Sequence, residues 1–204
     1  MMRAPVHDLH VSNLLTYAGL AAAVAACMLA LDERTRPLAA AAVAVAATTD
    51  TFDGAFARLF ARTPRQARCG MEIDSLVDAI AFGAAPLVVL FAAGLSESIP
   101  AAYQLFGGVV YALAAITRLG FYNVEQDTAM FIGAPTPAAA LLCLTALLLP
   151  GRSSPTVALV VAAALMVAPI RIPRPRGVAR AMFAMWSVAL IVVHAGRYYA
   201  ATSR

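Results

Sequence analysis

The chain has no lysine, and all 15 of its basic residues are arginine. Charged residues of either sign make up only 13% of the 204 positions. Hydrophobic residues make up 62%, whereas soluble domains carry roughly 45 to 50%. That scarcity of charge excludes a water-soluble globule. Cysteine is nearly absent as well. Cys27, Cys69 and Cys143 lie in or beside apolar runs with no paired spacing, so neither a disulfide framework nor a thiolate metal site is indicated. His7, His10 and His194 are scattered and show no ligand spacing. No polar stretch is long enough for a separate soluble domain, so residues 1–204 are expected to form a single membrane domain.

What the sequence does contain is apolar residues in helix-length runs. A run of about 20 such residues crosses the hydrocarbon core as a helix. The pattern predicts about seven segments, near residues 9–31, 37–58, 71–97, 101–123, 135–150, 155–171 and 178–196. The fifth and sixth are short and bounded by Pro135, Pro137, Pro150 and Pro155, which gives a range of six to eight. The expected fold class is therefore all-α, a polytopic membrane helix bundle. The alanine-rich tract AAAAVAVAATT reads as lipid-facing or tightly packed helix. Trp186, Tyr198 and Tyr199 fit an interfacial belt.

The arginines are unevenly placed. Arg62, Arg65 and Arg68, with Arg58 at the edge, fall between the second and third segments, and Arg171, Arg174 and Arg176 fall between the sixth and seventh. The positive-inside rule puts both loops in the cytoplasm, the N-terminus inside, and the loops around Asp32 and Glu97 outside. These arginines flank helices without interleaved aromatics. Topology and anionic lipid explain them better than nucleic acid does.

Against this apolar background four aspartates recur at helical spacings. Asp50 and Asp53 are three apart, and Asp74 and Asp78 are four apart, so each pair projects from one face of its helix. Charges at membrane depth are expensive and mark function. Asp50, Asp53, Gly54, Ala57 and Arg58 share one stripe, and Gly70, Asp74 and Asp78 share another. Four carboxylates brought together would repel, and divalent cations resolve the conflict. With no His or Cys in the set, the ligands suit hard Mg²⁺ or Mn²⁺, ions commonly shared with phosphate oxygens. Gly54 and Ala57 leave room for a bulky group, and Arg58 offers a forked donor for phosphate. Structural salt bridges and an ion-coupled transporter are the rival explanations. Neither requires Gly54, Ala57 and Arg58 together on the acidic stripe.

These residues resemble the signature of the CDP-alcohol phosphotransferase family, D-x-x-D-G-x-x-A-R followed by G-x-x-x-D-x-x-x-D. Asp50, Asp53, Gly54, Ala57, Arg58, Gly70, Asp74 and Asp78 match every fixed position. The spacer between Arg58 and Gly70 holds eleven residues, longer than is usual in the family. SNLLTYAGL, with Asn13 and Thr16, is similar to the family's P-N-x-x-T, with Ser12 in place of proline. DSLVDAIAFGAAP and FIGAPTPAAA resemble the phosphatidylserine synthase branch, and Ala79 stands where branches using glycerol phosphate carry lysine. In RLGFYNV, Arg118 and Asn123 align with that branch, whereas Phe121 replaces a second arginine and Ile132 stands where a lysine is often found.

The resemblance implies transfer of a phosphatidyl group from CDP-diacylglycerol to L-serine, with release of CMP. Asp50, Asp53, Asp74 and Asp78 would hold two divalent cations, Mg²⁺ or Mn²⁺, and Asp78 would also be the general base. Asn13, Thr16, Asp53, Gly54, Ala57, Arg58 and Gly70 would bind the cytidine diphosphate, and Arg118 and Asn123 the acceptor. Arg118 is equally readable as a snorkelling residue at a helix end. Glu72, two positions before Asp74, faces elsewhere and reads as solvating the helix start. Other acceptors, namely inositol phosphate or glycerol phosphate, and an archaeal-type lipid donor fit the same scaffold. A homodimer is the expected assembly.

Overall fold

A computed structural model describes residues 8–94, 100–125, 130–149, 154–173 and 177–203. His7, Glu97, Pro150, Arg174 and Arg176 lie outside the described residues. Eight α-helices are described: α1 (Leu14–Leu29), α2 (Arg36–Ala57), α3 (Pro64–Asp78), α4 (Ala85–Gly94), α5 (Ala101–Val124), α6 (Thr136–Ala146), α7 (Ser154–Val167) and α8 (Val178–Thr202). A π-helical turn, Ala79–Ala84, joins α3 to α4, so the two make one rod and the bundle has seven. Val11–Leu29, Pro64–Ala93, Ala101–Val124 and Val178–Thr202 are long and apolar enough to cross a membrane.

The alanine tract proves to be packing surface. Ala39, Ala40, Val43, Ala44 and Ala47 of α2 are buried, as are Ala23 and Ala26 of α1, and α2 runs between α1 and α8. Small side chains let backbones approach closely where lipid offers no hydrophobic drive between helices. Hydrogen bonds then fix the register. Thr48 Oγ1 donates to Ser187 Oγ across α2 and α8 at 2.9 Å. The short α6 is capped by α8, where His194 Nε2 lies 3.3 Å from the Leu144 carbonyl and Arg197 Nη1 donates to that of Leu147 at 3.1 Å. Both carbonyls lie at the C-terminal end of α6, where helical bonding runs out, and that of Leu144 also accepts from the Leu147 N–H at 3.2 Å.

Four expectations need correcting. The third rod begins at Pro64 rather than near residue 71, because Thr63 and Gln66 form a capping box and Pro64 fits the first helical position. Arg65 and Arg68 therefore ride on the opening turns of α3 and not in a loop. The fifth and sixth segments end early, at Ala146 and Val167. Trp186 faces inward, packing on the core and donating to Thr145 Oγ1 at 3.1 Å, since an indole N–H in a bundle takes a partner where one is available. A two-stranded antiparallel sheet, unforeseen by helical periodicity, pairs β1 (Met130–Ile132) with β2 (Arg171–Pro173). Its strands hold three residues each, too few to show a period.

Candidate functional site

Five elements deliver the motif residues to one end of the bundle: the start of α1, the end of α2, the middle of α3, the end of α5 and the start of α6. Asp74 lies ten residues into α3, about 15 Å along its axis at 1.5 Å per residue. The capped opening turns thus extend beyond the site and absorb the long spacer after Arg58. On α2 and α3 the aspartates face one another. Carboxylate oxygens of Asp50, Asp74 and Asp78 lie within 4.8 Å of one another. Asp53 lines the same gap and accepts from Thr16 Oγ1 at 3.3 Å. The gap lined by all four aspartates measures about 10 Å³, room for one water-sized body. An all-oxygen donor set this close fits a hard divalent cation.

Beside this gap lies a cavity of about 200 Å³ that unites Asn13, Thr16, Asp53, Gly54, Ala57, Arg58 and Gly70. Every residue expected around the cytidine diphosphate meets there, with Ser12 and Arg62 added. The serine that replaces proline is put to use, since Ser12 is buried and donates to Asn13 Oδ1 at 3.2 Å. Asn13 Nδ2 is buried and has no hydrogen-bond partner among the described residues. Gly70 is tightly constrained, because a Cβ there would sit 2.9 Å from Asn13 Oδ1. Gly54 opens on the cavity instead. The nearest atom a Cβ would meet is Arg58 Nη1, at 3.7 Å, which argues for a pocket role over helix packing.

A larger cavity, about 570 Å³, opens on the other side of the aspartates, lined by Asp50, Asp74 and Asp78 together with both acceptor candidates, Arg118 and Asn123. Arg118 is buried, so it does not snorkel to the surface. Its guanidinium lies 4.5 Å over the Tyr122 ring and 5.7 Å from that of Phe131. Asn123 sits at the rim, where its Oδ1 accepts from Ser75 Oγ at 2.8 Å. Glu72 lines this cavity rather than solvating a helix start, because α3 begins eight residues earlier than that residue. Phe121 and Ile132, the departures from the branch pattern, are not among the lining residues. Their chain neighbours Tyr122 and Phe131 are. Sequence reasoning missed both, along with Thr136, although the Pro135 and Pro137 flanking it signal a helix start.

The two cavities meet at Asp74, which lines both. Two cavities thus share one carboxylate cluster. The chain is 35% identical over 135 residues to the CDP-diacylglycerol–serine O-phosphatidyltransferase of Mycobacterium tuberculosis, covering 62% of this chain and 45% of that one. The Helicobacter pylori protein of the same name is 36% identical over 112 residues, covering 50% and 43%. The Bacillus subtilis one is 32% identical over 99 residues, covering 48% and 52%. The chain thus spans about half the length of the curated relatives it matches. The profile of one family, described as CDP-alcohol phosphatidyltransferase, matches residues 9–193. With the signature aspartates gathered between two cavities and the match running nearly end to end, the chain belongs to the CDP-alcohol phosphatidyltransferase family.

Proposed function

We propose that this protein transfers the phosphatidyl group of CDP-diacylglycerol to the hydroxyl of L-serine, giving phosphatidylserine and CMP. The observation that carries the reading is the shared cluster, with the nucleotide residues on one side of Asp74 and Arg118 and Asn123 on the other. A lipid pyrophosphate reaching from the smaller cavity presents its phosphatidyl phosphorus to an acceptor in the larger. The serine oxygen forms the new bond to phosphorus, the pyrophosphate P–O bond breaks, and CMP takes the electron pair. Asp78 lines the acceptor cavity and accepts the serine proton. Asp50, Asp53, Asp74 and Asp78 would hold two divalent cations, Mg²⁺ or Mn²⁺, which when bound neutralise the pyrophosphate and its leaving group.

Charge favours serine over a phosphorylated polyol. Arg118 is the one cation among the described residues lining the acceptor cavity, against Glu72 and Glu125 beyond the aspartates. A dianionic phosphate would meet net repulsion there, whereas a zwitterion carries its own cation. The name shared by the three relatives, a CDP-diacylglycerol–serine O-phosphatidyltransferase, agrees. We place the protein in the cell membrane as one domain, its site facing the cytoplasm where the Arg62, Arg65 and Arg68 cluster lies, and as a homodimer.

Purified protein with CDP-diacylglycerol and Mg²⁺ or Mn²⁺ is to be offered serine, inositol phosphate or glycerol phosphate, and CMP followed. Release with serine alone is expected. Release with none of them, together with metal-dependent ion flux in vesicles, would instead mark a transporter.

A further inference from the structure

Two residues that line the acceptor cavity each carry a buried polar atom with no hydrogen-bond partner among the described residues, Arg118 Nε and Thr136 Oγ1. Their residues are 7% and 0% exposed. Buried polar groups are nearly always paired, so two orphans on one cavity wall point to a ligand that pairs them. They come from different elements, the end of α5 and the first residue of α6.

Both are held in place. The guanidinium of Arg118 lies over the Tyr122 ring, with Phe131 set edge-to-face against that same ring at 5.6 Å, a contact that favours a cation. Phe131 is set by the pairing of β1 with β2 and by the Ile132 N–H donating to the Tyr122 hydroxyl. The chain then runs into α6 through two further anchors, Gly133 N–H to the Ile170 carbonyl and Ala134 N–H to that of Leu165, each 2.8 Å. Pro135 precedes the helix and Thr136 opens it. The first turn of a helix carries N–H groups without internal acceptors and the positive end of the dipole. Here that turn stands beside the cavity, which Thr136 lines, with its hydroxyl buried just behind the surface.

We propose that the first turn of α6 and Arg118 together form a carboxylate subsite in the acceptor cavity, with the Thr136 hydroxyl and Arg118 Nε as its side-chain donors. Thr136 binds substrate, and Tyr122 is a positioning residue that acts through Arg118. The inference rests on the reading of serine as acceptor and deepens it. The acceptor's ammonium group is left to Glu72 and Glu125, which line the same cavity. Thr136 then sets the preference for serine over ethanolamine, which has the same amine and hydroxyl but no carboxylate.

The test uses the full chain in detergent with CDP-diacylglycerol. Thr136→Val keeps the shape and removes the hydroxyl, and Thr136→Ser restores it. Loss of a hydrogen bond to a charged group corresponds to roughly a tenfold to hundredfold change. Thr136→Val should therefore raise the serine KM at least about tenfold, leave the CDP-diacylglycerol KM within about twofold, and narrow the serine-to-ethanolamine preference. Thr136→Ser should recover most of the loss. Tyr122→Leu should raise the serine KM alone, through Arg118. A serine KM unchanged in Thr136→Val, with a wild type that works on serine, would overturn the subsite and leave the serine reading standing. A loss that Thr136→Ser does not recover, or one shared equally by both substrates, would show a packing role and overturn it as well. Wild-type CMP release with a phosphorylated polyol and none with serine would overturn both.

Discussion

Gly70→Ala isolates the steric logic of the nucleotide cavity. The added methyl would sit 2.9 Å from Asn13 Oδ1 and 3.7 Å from Asn13 Cγ, inside the 3.4 Å at which ordinary contact begins for the oxygen. The asparagine has little room to yield, being 4% exposed and bonded to the Ser12 hydroxyl at 3.2 Å. Overpacking of this kind costs about 1 to 3 kcal/mol. At 1.4 kcal/mol per factor of ten, displacing Asn13 should raise the CDP-diacylglycerol KM by roughly fivefold to 150-fold, with the serine KM unchanged. Initial rates of CMP release at varied donor and acceptor measure both. Gly54→Ala is the contrast, because its methyl meets Arg58 Nη1 at an ordinary 3.7 Å and only takes up cavity space. The decisive arm is a double mutant. If Gly70→Ala acts by pushing Asn13, adding it to Asn13→Ala should cost little more, since the clashing carboxamide is already gone. Additive losses would refute the mechanism, and so would a wild-type donor KM in Gly70→Ala.

Removal of divalent cations with a chelator should abolish CMP release, and Mg²⁺ or Mn²⁺ should restore it; activity that survives dialysis against the chelator would tell against the cluster's assigned role. Gly19→Ala should destabilise by about 1 to 3 kcal/mol, seen as a lower unfolding midpoint in detergent, because its Cβ would fall 2.9 Å from Thr49 Oγ1, which is tied to the Ala46 carbonyl at 2.8 Å. Arg65→Ala should change the donor KM less than about fivefold, and less still in high salt. Its pairing with Asp8, at 2.7 and 2.8 Å, is bidentate but 63% exposed on the arginine side, where water and salt screen it. Trp186→Phe should cost about 0.5 to 1.5 kcal/mol of stability through the lost bond to Thr145, with kinetic constants unchanged.

The helices and the acidic stripes were legible because each rests on a long, regular signal. Asp50, Asp53, Gly54, Ala57 and Arg58 keep the 3.6-residue period that the backbone imposes, so a face drawn from sequence is the face the fold presents. Where the signal is local, the reading slipped. Thr63, Pro64 and Gln66 announce a helix start, yet the arginines around them read as a loop, and α3 was entered seven residues late. The alanine tract could be assigned to lipid or to packing with equal ease from composition. Only its neighbours α1 and α8 decide that it is buried. Ser12, Thr136 and the β1–β2 pair carry no periodicity at all, and their roles follow from contacts made across the bundle.

The acceptor end shows why a mismatch at one position says little about the site next to it. Successive residues on a helix are turned by about 100°, so a helix gives a cavity wall a stripe that recurs every three or four residues, here Arg118 with Leu119 and Tyr122 with Asn123, and skips the positions between. Arg118 and Tyr122 stand four apart on α5 and both line the cavity, while Phe121 between them is 44% exposed and does not. Phe121 itself therefore forms no part of this wall. The same holds on β1, where side chains alternate between faces: Phe131 reaches Arg118 and Ile132, next in the strand, is not on the wall. What the cavity has in place of added cations is one guanidinium lying over the Tyr122 ring, a helix end beside it, and two glutamates. That balance admits a molecule bearing both charges and disfavours one bearing only negative charge.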